Sequence, residues 1–562
     1  MRTPLLVLVV TYSIAVVGLM AVPGYKPDGT LWHMDFFHAT YFVSYMATTI
    51  GFGELPYEFS DEQRLWILFC IYASVIAWLY SIGSLIALLQ DKTLRRALAE
   101  DRFAAQVRRL REPFFLICGY GQTGSGLVRA LSNAGQRTVV VDDQEARINQ
   151  LKLENLREFV PALHADARCP DILLLAGLRN RHCHGVLALT STNEVNLKIA
   201  IAAKLLNPRI AVVCRTDSQD VKANMASFGT EHIFNPFDLF AQYLGIALQN
   251  PCLALLHDWL GAPDGAPLKD PRHLPEHGLW IVCGYGRFGK AVMRQLVEYK
   301  FDTVVIEATP EITGTPPGRL VAGRGTEANT LEQAGVHQAV GLIAGTDCDV
   351  NNLSIVMTAR TLNPELFVVV RENDLLNQQL FDAVAADIRM HPSLIVADRV
   401  RLLLRTPLLN EFIHYAQYET ATWACLLLSR IAGLVQDQAP MVWQVAIDEA
   451  HAIVTTWEAG NIPCLEDLLR HPREREQTLP AMILMRRQGQ ERTRLPDLGE
   501  PLRAGDELLL CGLPPARSAM QWTLQNCDVL DYVMFGRARP RTWIGRRLQT
   551  HHTSAPESSE VL

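Results

Sequence analysis

Residues 47–54 read Ala-Thr-Thr-Ile-Gly-Phe-Gly-Glu, and they lie between two apolar stretches without charged residues, Pro4–Val22 and Leu65–Leu89. Glycines let successive backbone carbonyls turn towards one axis, and threonines add hydroxyl oxygens. A ring of such oxygens can replace the hydration shell of a potassium ion. The pattern therefore predicts a selectivity filter formed by Thr48, Thr49, Ile50, Gly51, Phe52 and Gly53.

The two apolar stretches have the length of membrane-spanning helices, whereas the segment between them does not. Pro4–Val22 has 19 residues and Leu65–Leu89 has 25, which is enough to cross a hydrocarbon layer about 30 Å thick. Asp35–Ala47 is aromatic and apolar but too short to span. We therefore expect a re-entrant half-helix there, with its negative C-terminal end towards a cation.

The charges that flank these helices predict their orientation. Residues 23–63 contain six acidic residues and one basic residue, whereas residues 91–111 contain seven basic and three acidic residues. The positive-inside rule then places both chain ends in the cytosol. Because one chain supplies one filter strand, a pore requires four chains around a fourfold axis.

Other features limit the function further. In the second helix, Ser74 and Gly83 are candidate gate hinges, although close helix packing explains them equally well. The net charge of −7 argues against nucleic acid as a partner. Twelve scattered cysteines are typical of buried reduced thiols rather than of a disulfide framework. We interpret His182-Cys183-His184 as a surface turn and assign no metal site.

A strand, a glycine turn and a helix follow the basic stretch. The apolar run Phe114–Cys118 leads into Gly119-Tyr120-Gly121-Gln122-Thr123-Gly124, and a helical pattern covers Ser125–Ala134. A second apolar run, Val139–Val141, ends at Asp142. This is the dinucleotide-binding fingerprint, in which the glycines admit a pyrophosphate at a helix N-terminus and the acid accepts hydrogen bonds from ribose hydroxyls.

The same pattern recurs 165 residues later, where Leu279–Cys283 leads into Gly284-Tyr285-Gly286-Arg287-Phe288-Gly289 and a further apolar run ends at Glu307. Beyond that, the offset is 156 residues, as between Arg215 and Arg371. The second repeat has therefore lost nine residues, and the proline-rich segment 309–318 replaces the helical run 145–156. The chain is predicted to contain two Rossmann-type domains that arose by duplication.

The two repeats differ in their chemistry. The first carries Asp166 after its third strand, where it can contact an adenosine, and the second carries Arg324 at the corresponding place. We therefore expect the first repeat to be the better site for NAD(H) or another adenine nucleotide. The second repeat either binds a phosphate-rich ligand or keeps its glycine turn for folding alone.

Together these motifs resemble prokaryotic two-transmembrane potassium channels with tandem regulator-of-potassium-conductance (RCK, or TrkA-N) domains. The filter differs from the signature Thr-Val-Gly-Tyr-Gly only at Ile50 and Phe52. Phe234-Asn235-Pro236 and His391-Pro392-Ser393 resemble the starts of the family's crossover helices. In calcium-gated relatives, acidic residues occupy the places of Thr192 and Arg215 beside Asp217, which argues against Ca²⁺ gating at that site.

The resemblance covers residues 4 to about 520 and implies a homotetramer in the inner membrane, with K⁺ as the transported ion and a nucleotide as the regulatory ligand. The expected fold is a membrane α-helical pore, then α/β Rossmann-type tandem domains and a small C-terminal α+β lobe. The expected layout is a pore domain (1–90), a basic linker (91–111), a first RCK domain (112–260), a linker (261–277), a second RCK domain (278–412), a C-terminal lobe (413–520) and a partly disordered tail (521–562).

Two other functions remain open at this point. A nonselective cation channel would have the same architecture, because Phe52 replaces the tyrosine of the signature. A membrane-anchored NAD-dependent oxidoreductase would need an acid/base group beside the nicotinamide, and the sequence has no such constellation. We therefore expect a protein that is not an enzyme.

Overall fold

The structure is a computed structural model that describes residues 2–53, 57–263, 265–271, 274–275, 277–435 and 437–536. It divides into two units, Met1–Arg109 and Leu110–Leu562. The elements of the first unit are α1 (Arg2–Ala21), β1 (Gly24–Tyr25), β2 (Leu31–Trp32), α2 (Phe36–Ala47), α3 (Asp61–Gln90) and α4 (Lys92–Arg109).

Helices α1 and α3 are long and apolar enough to cross a membrane. They pack against each other, and the indole N–H of Trp66 donates to the carbonyl of Ala15 at 3.3 Å. Most of their apolar side chains nevertheless lie on the surface of the single chain; Leu79, for example, is 64% exposed. A surface of this size and apolarity needs lipid or another chain to cover it.

The short helix α2 confirms the predicted half-helix. It begins after Asp35, whose carboxylate accepts the N–H of His38 at 2.8 Å, and it ends at Ala47, directly before the predicted filter. Helix α3 continues without interruption through Ser74 and Gly83. The expected basic linker is itself helical, as α4.

The second unit begins with a six-stranded parallel sheet. Its strands are β3 (Phe114–Cys118), β4 (Arg137–Asp142), β5 (Ala162–His164), β6 (Cys183–Ala188), β7 (Ala211–Arg215) and β8 (His232–Phe234), and their order is β5-β4-β3-β6-β7-β8. The helices of this repeat are α5 (Gln122–Asn133), α6 (Glu145–Leu153), α7 (Pro170–Leu175), α8 (Asn193–Leu206), α9 (Gln219–Ser227), α10 (Pro236–Gln249) and α11 (Pro251–Gly261). This is the predicted doubly wound topology.

The second repeat forms an equivalent parallel sheet. Its strands are β9 (Leu279–Cys283), β10 (Asp302–Glu307), β11 (Arg319–Ala322), β12 (Ala339–Ala344), β13 (Phe367–Arg371) and β14 (Ile388–Met390), in the order β11-β10-β9-β12-β13-β14. Its helices are α12 (Arg287–Glu298), α13 (Pro310–Thr313), α14 (Ala328–Ala334), α15 (Asp349–Leu362), α16 (Gln378–Val384), α17 (Pro392–Arg405) and α18 (Pro407–Ala416). The matching strand orders confirm the two predicted Rossmann-type domains.

The repeats exchange helices. Helix α10 of the first repeat buries Phe237 and Phe240 against Phe288 of α12 in the second repeat. In return, α17 of the second repeat buries Val396 and Val400 in the core of the first. Asn235 and His391 cap these two helices, as expected for crossover helices. Each sheet therefore completes its hydrophobic core with a helix from the other repeat.

The C-terminal lobe is a four-stranded antiparallel sheet with helices, which confirms the predicted α+β lobe. Its strands have the order β15-β18-β16-β17. The elements are α19 (Ala421–Val435), β15 (Met441–Ala446), α20 (His451–Glu458), α21 (Leu465–Leu469), β16 (Ala481–Gln488), β17 (Glu491–Arg494), β18 (Asp506–Gly512), α22 (Pro514–Gln525) and α23 (Cys527–Phe535).

Four sequence-based expectations differ from the structure. The C-terminal tail was expected to begin at residue 521. Helices α22 and α23 instead continue to Phe535, because Met520 and Leu530 are buried in the core of the lobe. Residues 537–562 lie outside the described residues. The helical run that was expected to be lost in the second repeat survives as the four-residue α13. The turn expected at residues 182–184 ends at His182, because Cys183 begins β6 and is buried.

The fourth difference concerns the cysteines. Cys252 of α11 and Cys425 of α19 form a disulfide, with their Cα atoms 5.3 Å apart, whereas the other ten cysteines are free. The expectation of reduced thiols is therefore wrong for this pair. The two residues are 173 positions apart, and only the packing of α11 on α19 brings them together.

Candidate functional sites

The pore loop has an alternating backbone. Thr49, Gly51 and Gly53 have positive φ angles of 63°, 66° and 74°, whereas Ile50 and Phe52 do not. Alternation between left-handed and right-handed residues turns successive carbonyls to the same side of the chain. Thr49 adopts this conformation although it is not a glycine, and such strained residues are typical of functional sites. The loop therefore has the backbone that a row of cation-binding carbonyls requires.

The apolar side chains of the pore loop are largely exposed in the single chain. Ile50 is 60% and Phe52 64% exposed, and the ring of Phe52 meets that of Tyr45 at 6.4 Å. Thr48 caps α2, and its hydroxyl donates to the carbonyl of Ser44 at 2.8 Å. The apolar side chains that would support a filter from behind are thus present, but they are only partly packed in a single chain.

The three glycines of each glycine turn have different structural roles. Gly119 and Gly284 have φ angles of +105° and +97°, which a side chain would disfavour. A Cβ on Gly124 would lie 2.0 Å from the carbonyl oxygen of Gly119, so this glycine permits close helix–strand packing. A Cβ on Gly121 would meet its nearest atom, on Arg147, only at 3.9 Å. The middle glycine therefore faces open space, where a phosphate can approach.

Helix α5 supplies the anion-binding end of this space. It begins at Gln122, and no side chain among the described residues caps it. Its first N–H groups therefore remain available to an anion such as a phosphate. Gly286 precedes α12 in the same way, also without a side-chain cap.

A buried carboxylate holds each turn. Asp142 accepts the N–H of Tyr120 at 2.6 Å and that of Gln144 at 2.8 Å. Glu307 accepts the N–H of Tyr285 at 2.5 Å and that of Thr309 at 2.9 Å. Each carboxylate thus fixes the turn next to the position where a ribose would bind. This structural task was not part of the sequence-based prediction.

Two further charged residues lie near the first turn. Arg147 contacts Asp142 at 3.5 Å and lies beside Gly121. The sequence analysis missed Arg147, although its place five residues after the acid on α6 offered a signal. Asp166 accepts hydrogen bonds from Arg168, which lower the pKa of Asp166, so this carboxyl is ionised at neutral pH.

The two glycine turns also contact the opposite repeat. The amide of Gln122 donates to Asp374 at 2.7 Å, and the guanidinium of Arg287 pairs with Asp217 at 2.6 Å. Gln122 and Arg287 occupy equivalent positions of the two repeats. A ligand at either turn would therefore meet side chains held by the other repeat. No sequence pattern indicated these pairs, because their members are 252 and 70 residues apart.

Some predicted site residues are core residues. Phe288 is fully buried against Phe237 and Phe240, so its side chain cannot reach a ligand. Tyr120 and Thr123 are also buried, and the hydroxyl of Thr123 accepts a hydrogen bond from Arg215 at 3.2 Å. These residues can contribute to a ligand site through their backbone only.

The equivalent arginines Arg215 and Arg371 have diverged. Burial lowers the pKa of Arg215, while Asp217 opposes that shift. Burial also lowers the pKa of Arg371, to about 10, and its guanidinium lies 4.8 Å from the ring centre of Phe237. Arg215 thus faces the first glycine turn, whereas Arg371 stacks on the exchanged helix.

The structure places Asp217 in a polar network rather than beside other acids. In addition to its pair with Arg287, it accepts a hydrogen bond from the amide of Asn193 at 2.7 Å. Within the described residues, no group of three or more His, Cys, Asp or Glu side chains is arranged to hold a metal ion.

The TrkA-N domain family matches residues 115–236 and 280–392. Potassium channel protein 1 of Methanocaldococcus jannaschii is 24% identical over 234 residues, which is 42% of this chain and 66% of that protein. The Trk system potassium uptake protein TrkA of Mycobacterium tuberculosis is 26% identical over 243 residues, which is 42% of this chain and 94% of that protein. The match thus spans just under two thirds of the first relative.

Among solved structures, the GsuK channel is 17% identical, with a TM-score of 0.47, and the alignment covers 95% of this chain and 97% of that one. The family matches define the class of the second unit: the chain has two TrkA-N, or RCK, domains. Over these residues the chain matches the TrkA-N domain family, and it is similar to Potassium channel protein 1 of Methanocaldococcus jannaschii. The predicted tandem RCK domains are thereby confirmed.

Replacing Gly124 by Ala should destabilise the first repeat, because the added methyl group would lie 2.0 Å from a backbone oxygen. Overpacking of this kind costs about 1–3 kcal/mol, so the melting temperature of the second unit should fall by roughly 2–12 °C in calorimetry. Gly126→Ala on the same helix is the control, because its methyl group would meet the nearest atom at 3.9 Å. Equal melting temperatures for the two variants would contradict the proposed role of Gly124.

Proposed function

We propose that the protein is a potassium-selective channel whose opening is controlled by an adenine nucleotide bound at its RCK domains. The observation that carries this proposal is the alternating backbone of Thr49–Gly53, directly after a short helix and between two apolar helices. The similarity to Potassium channel protein 1 of Methanocaldococcus jannaschii supports it.

The chain would act as a homotetramer in the inner membrane. A single chain offers one filter strand, and carbonyl oxygens surround a potassium ion only when several strands face one another. Neighbouring chains would also cover Ile50 and Phe52, which are exposed in one chain. The charge asymmetry of the flanking segments favours cytosolic RCK domains.

The first repeat is the proposed site for NAD(H), ADP or ATP. Three features support it: the open space at Gly121, the uncapped start of α5, and the ionised carboxyl of Asp166. A ligand there would alter the contact of Gln122 with the second repeat. Ligand affinity that differs between two arrangements of the repeats would shift the balance between closed and open channels.

An oxidoreductase is the alternative of another class, because the Rossmann fold also occurs in such enzymes. The relatives that match this chain include a potassium channel protein and a potassium uptake protein, which favours a regulatory nucleotide and no turnover. Incubation with NADH and an added electron-accepting dye, followed by absorbance, separates the two functions, because only an oxidoreductase would transfer electrons from NADH to the dye.

Tetramers in lipid bilayers should conduct potassium and exclude sodium, as measured by the reversal potential in mixed salts. Replacing Gly51 by Ala should abolish this selectivity, because a side chain at a φ of +66° strains the carbonyl row. Gly29→Ala is the matched control, because it makes the same change at a glycine with a φ of +84° outside the filter, and its methyl group meets no described atom within 4 Å. Equal permeability to sodium and potassium in the unaltered protein would favour the nonselective channel.

The purified protein in detergent should have the mass of four chains, each of 62.8 kDa. Light scattering combined with size-exclusion chromatography measures this mass independently of the detergent. A monomer or dimer under conditions that preserve conduction would rule out the proposed assembly.

Replacing Asp142 by Ala should weaken nucleotide binding about tenfold to a hundredfold, because a charge-assisted hydrogen bond to the ribose is worth about 1.5–3 kcal/mol. Glu307→Ala should weaken it less, since Arg324 replaces an acid in that repeat. Calorimetric titration of NAD and ADP into both variants measures the difference. Asp143→Ala, an exposed neighbour, controls for the lost charge, and melting temperatures control for the anchoring role of Asp142. Equal losses in both variants would refute the assignment to the first repeat.

A further inference from the structure

A second candidate ligand site lies between the exchanged elements of the two repeats. A cavity of about 480 Å³ is bordered by α10, α11, α17, α18 and the end of β14. This volume is within the range of small-molecule sites. It is separate from both glycine turns, because no glycine-turn residue lines it.

Most of the cavity wall is aliphatic or aromatic. Both repeats contribute, through Leu239, Phe240, Ile246, Leu256, Ile395 and Phe412. Burying an apolar body against such a wall is favourable by about 25 cal/mol for each Å² of apolar surface removed from water. The wall therefore suits a ligand with a hydrocarbon or aromatic part.

The charged residues of the cavity wall differ in whether they have an ion-pair partner. Lys269 pairs with Asp258 at 3.2 Å, and Asp398 pairs with Arg401 at 3.4 Å. Arg389 pairs with Asp382 at 2.6 Å. Arg399, in contrast, has no ion pair or hydrogen bond with any residue that the structure describes. Burial lowers its pKa, yet an arginine stays protonated at neutral pH. The cavity thus holds a cation without a counter-charge.

Two histidines of the wall remain neutral and therefore add no charge to that of Arg399. Burial, assisted by Arg399, lowers the pKa of His257 to about 4. Burial likewise lowers the pKa of His391 to about 4. The Nδ1 atom of His391 accepts the N–H of Leu394 at 3.3 Å, so the neutral ring carries its proton on Nε2. His391 is only 5% exposed, and its Nε2 has no hydrogen-bond partner among the described residues. A buried donor without an acceptor is costly, and a polar group or a water molecule in the cavity would supply one.

We infer that this cavity binds a small amphipathic anion, with its carboxylate or phosphate on Arg399 and its apolar body against the aliphatic wall. Because both repeats form the wall, such a ligand would favour one relative arrangement of α10 and α17. An effect on channel opening would rest on the proposed function, whereas binding itself does not.

Binding is tested with the full-length protein in lipid nanodiscs, by equilibrium dialysis of radiolabelled octanoate and with empty nanodiscs as the blank. We expect saturable binding of about one octanoate per chain. Arg399→Gln should weaken binding at least tenfold, because it removes the charge that pairs with the head group. Arg430→Gln, an exposed arginine of α19, makes the same change outside the cavity and should have no effect. Ile246→Trp should prevent binding by filling the cavity.

Competition identifies the head group. Displacement by octyl phosphate better than by octanoate would indicate a phosphate ligand, and the reverse would indicate a carboxylate. Equal displacement by uncharged octan-1-ol would overturn the anion site, as would equal losses for Arg399→Gln and Arg430→Gln. Unchanged binding in Ile246→Trp would place the ligand elsewhere, and this second variant decides the question if Arg399→Gln does not fold. Potassium selectivity is measured separately, so that failure of this inference can be told from failure of the proposed function.

Discussion

The exchange of crossover helices is the constraint on which the second unit depends. Phe237 and Phe240 of α10 complete the core of the second sheet, and Val396 and Val400 of α17 complete the core of the first. Separating the repeats would expose both apolar faces to water, and burial of apolar surface is the dominant favourable contribution to folding. The two repeats must therefore fold against each other, although each has the strand order of a complete domain.

This exchange also determines where ligands can act. It brings each glycine turn within hydrogen-bond distance of the opposite repeat, as the pairs Gln122–Asp374 and Arg287–Asp217 demonstrate. It also encloses the cavity that contains Arg399. Small molecules that bind at these places contact residues from both repeats. Such contacts allow a ligand to favour one relative arrangement of the repeats over another, which is the physical requirement for regulation by binding.

The N-terminal unit is subject to a different constraint: its backbone N–H and C=O groups need hydrogen-bond partners within the protein. Helices α1 and α3 satisfy their backbone internally, and their apolar side chains remain exposed as lipid-facing surfaces would be. The loop at residues 50–53, in contrast, belongs to no helix or strand. The alternating φ angles at Thr49, Gly51 and Gly53 are strained or restricted to glycine, so function rather than stability accounts for this backbone.

The sequence by itself determined the local elements. Hydrophobic periodicity, glycine spacing and the 165-residue offset predicted the half-helix, both parallel sheets and the residues of the glycine turns, because these depend on neighbours in the chain. Tertiary structure alone decided the helix exchange, the anchoring of the turns by Asp142 and Glu307, the disulfide between Cys252 and Cys425, and the uncompensated charge of Arg399. These depend on contacts between residues that are far apart in the sequence, as the 173-residue separation of the disulfide shows. Local patterns carry no information about such contacts, because the contacts depend on which distant side chains the folded chain brings together.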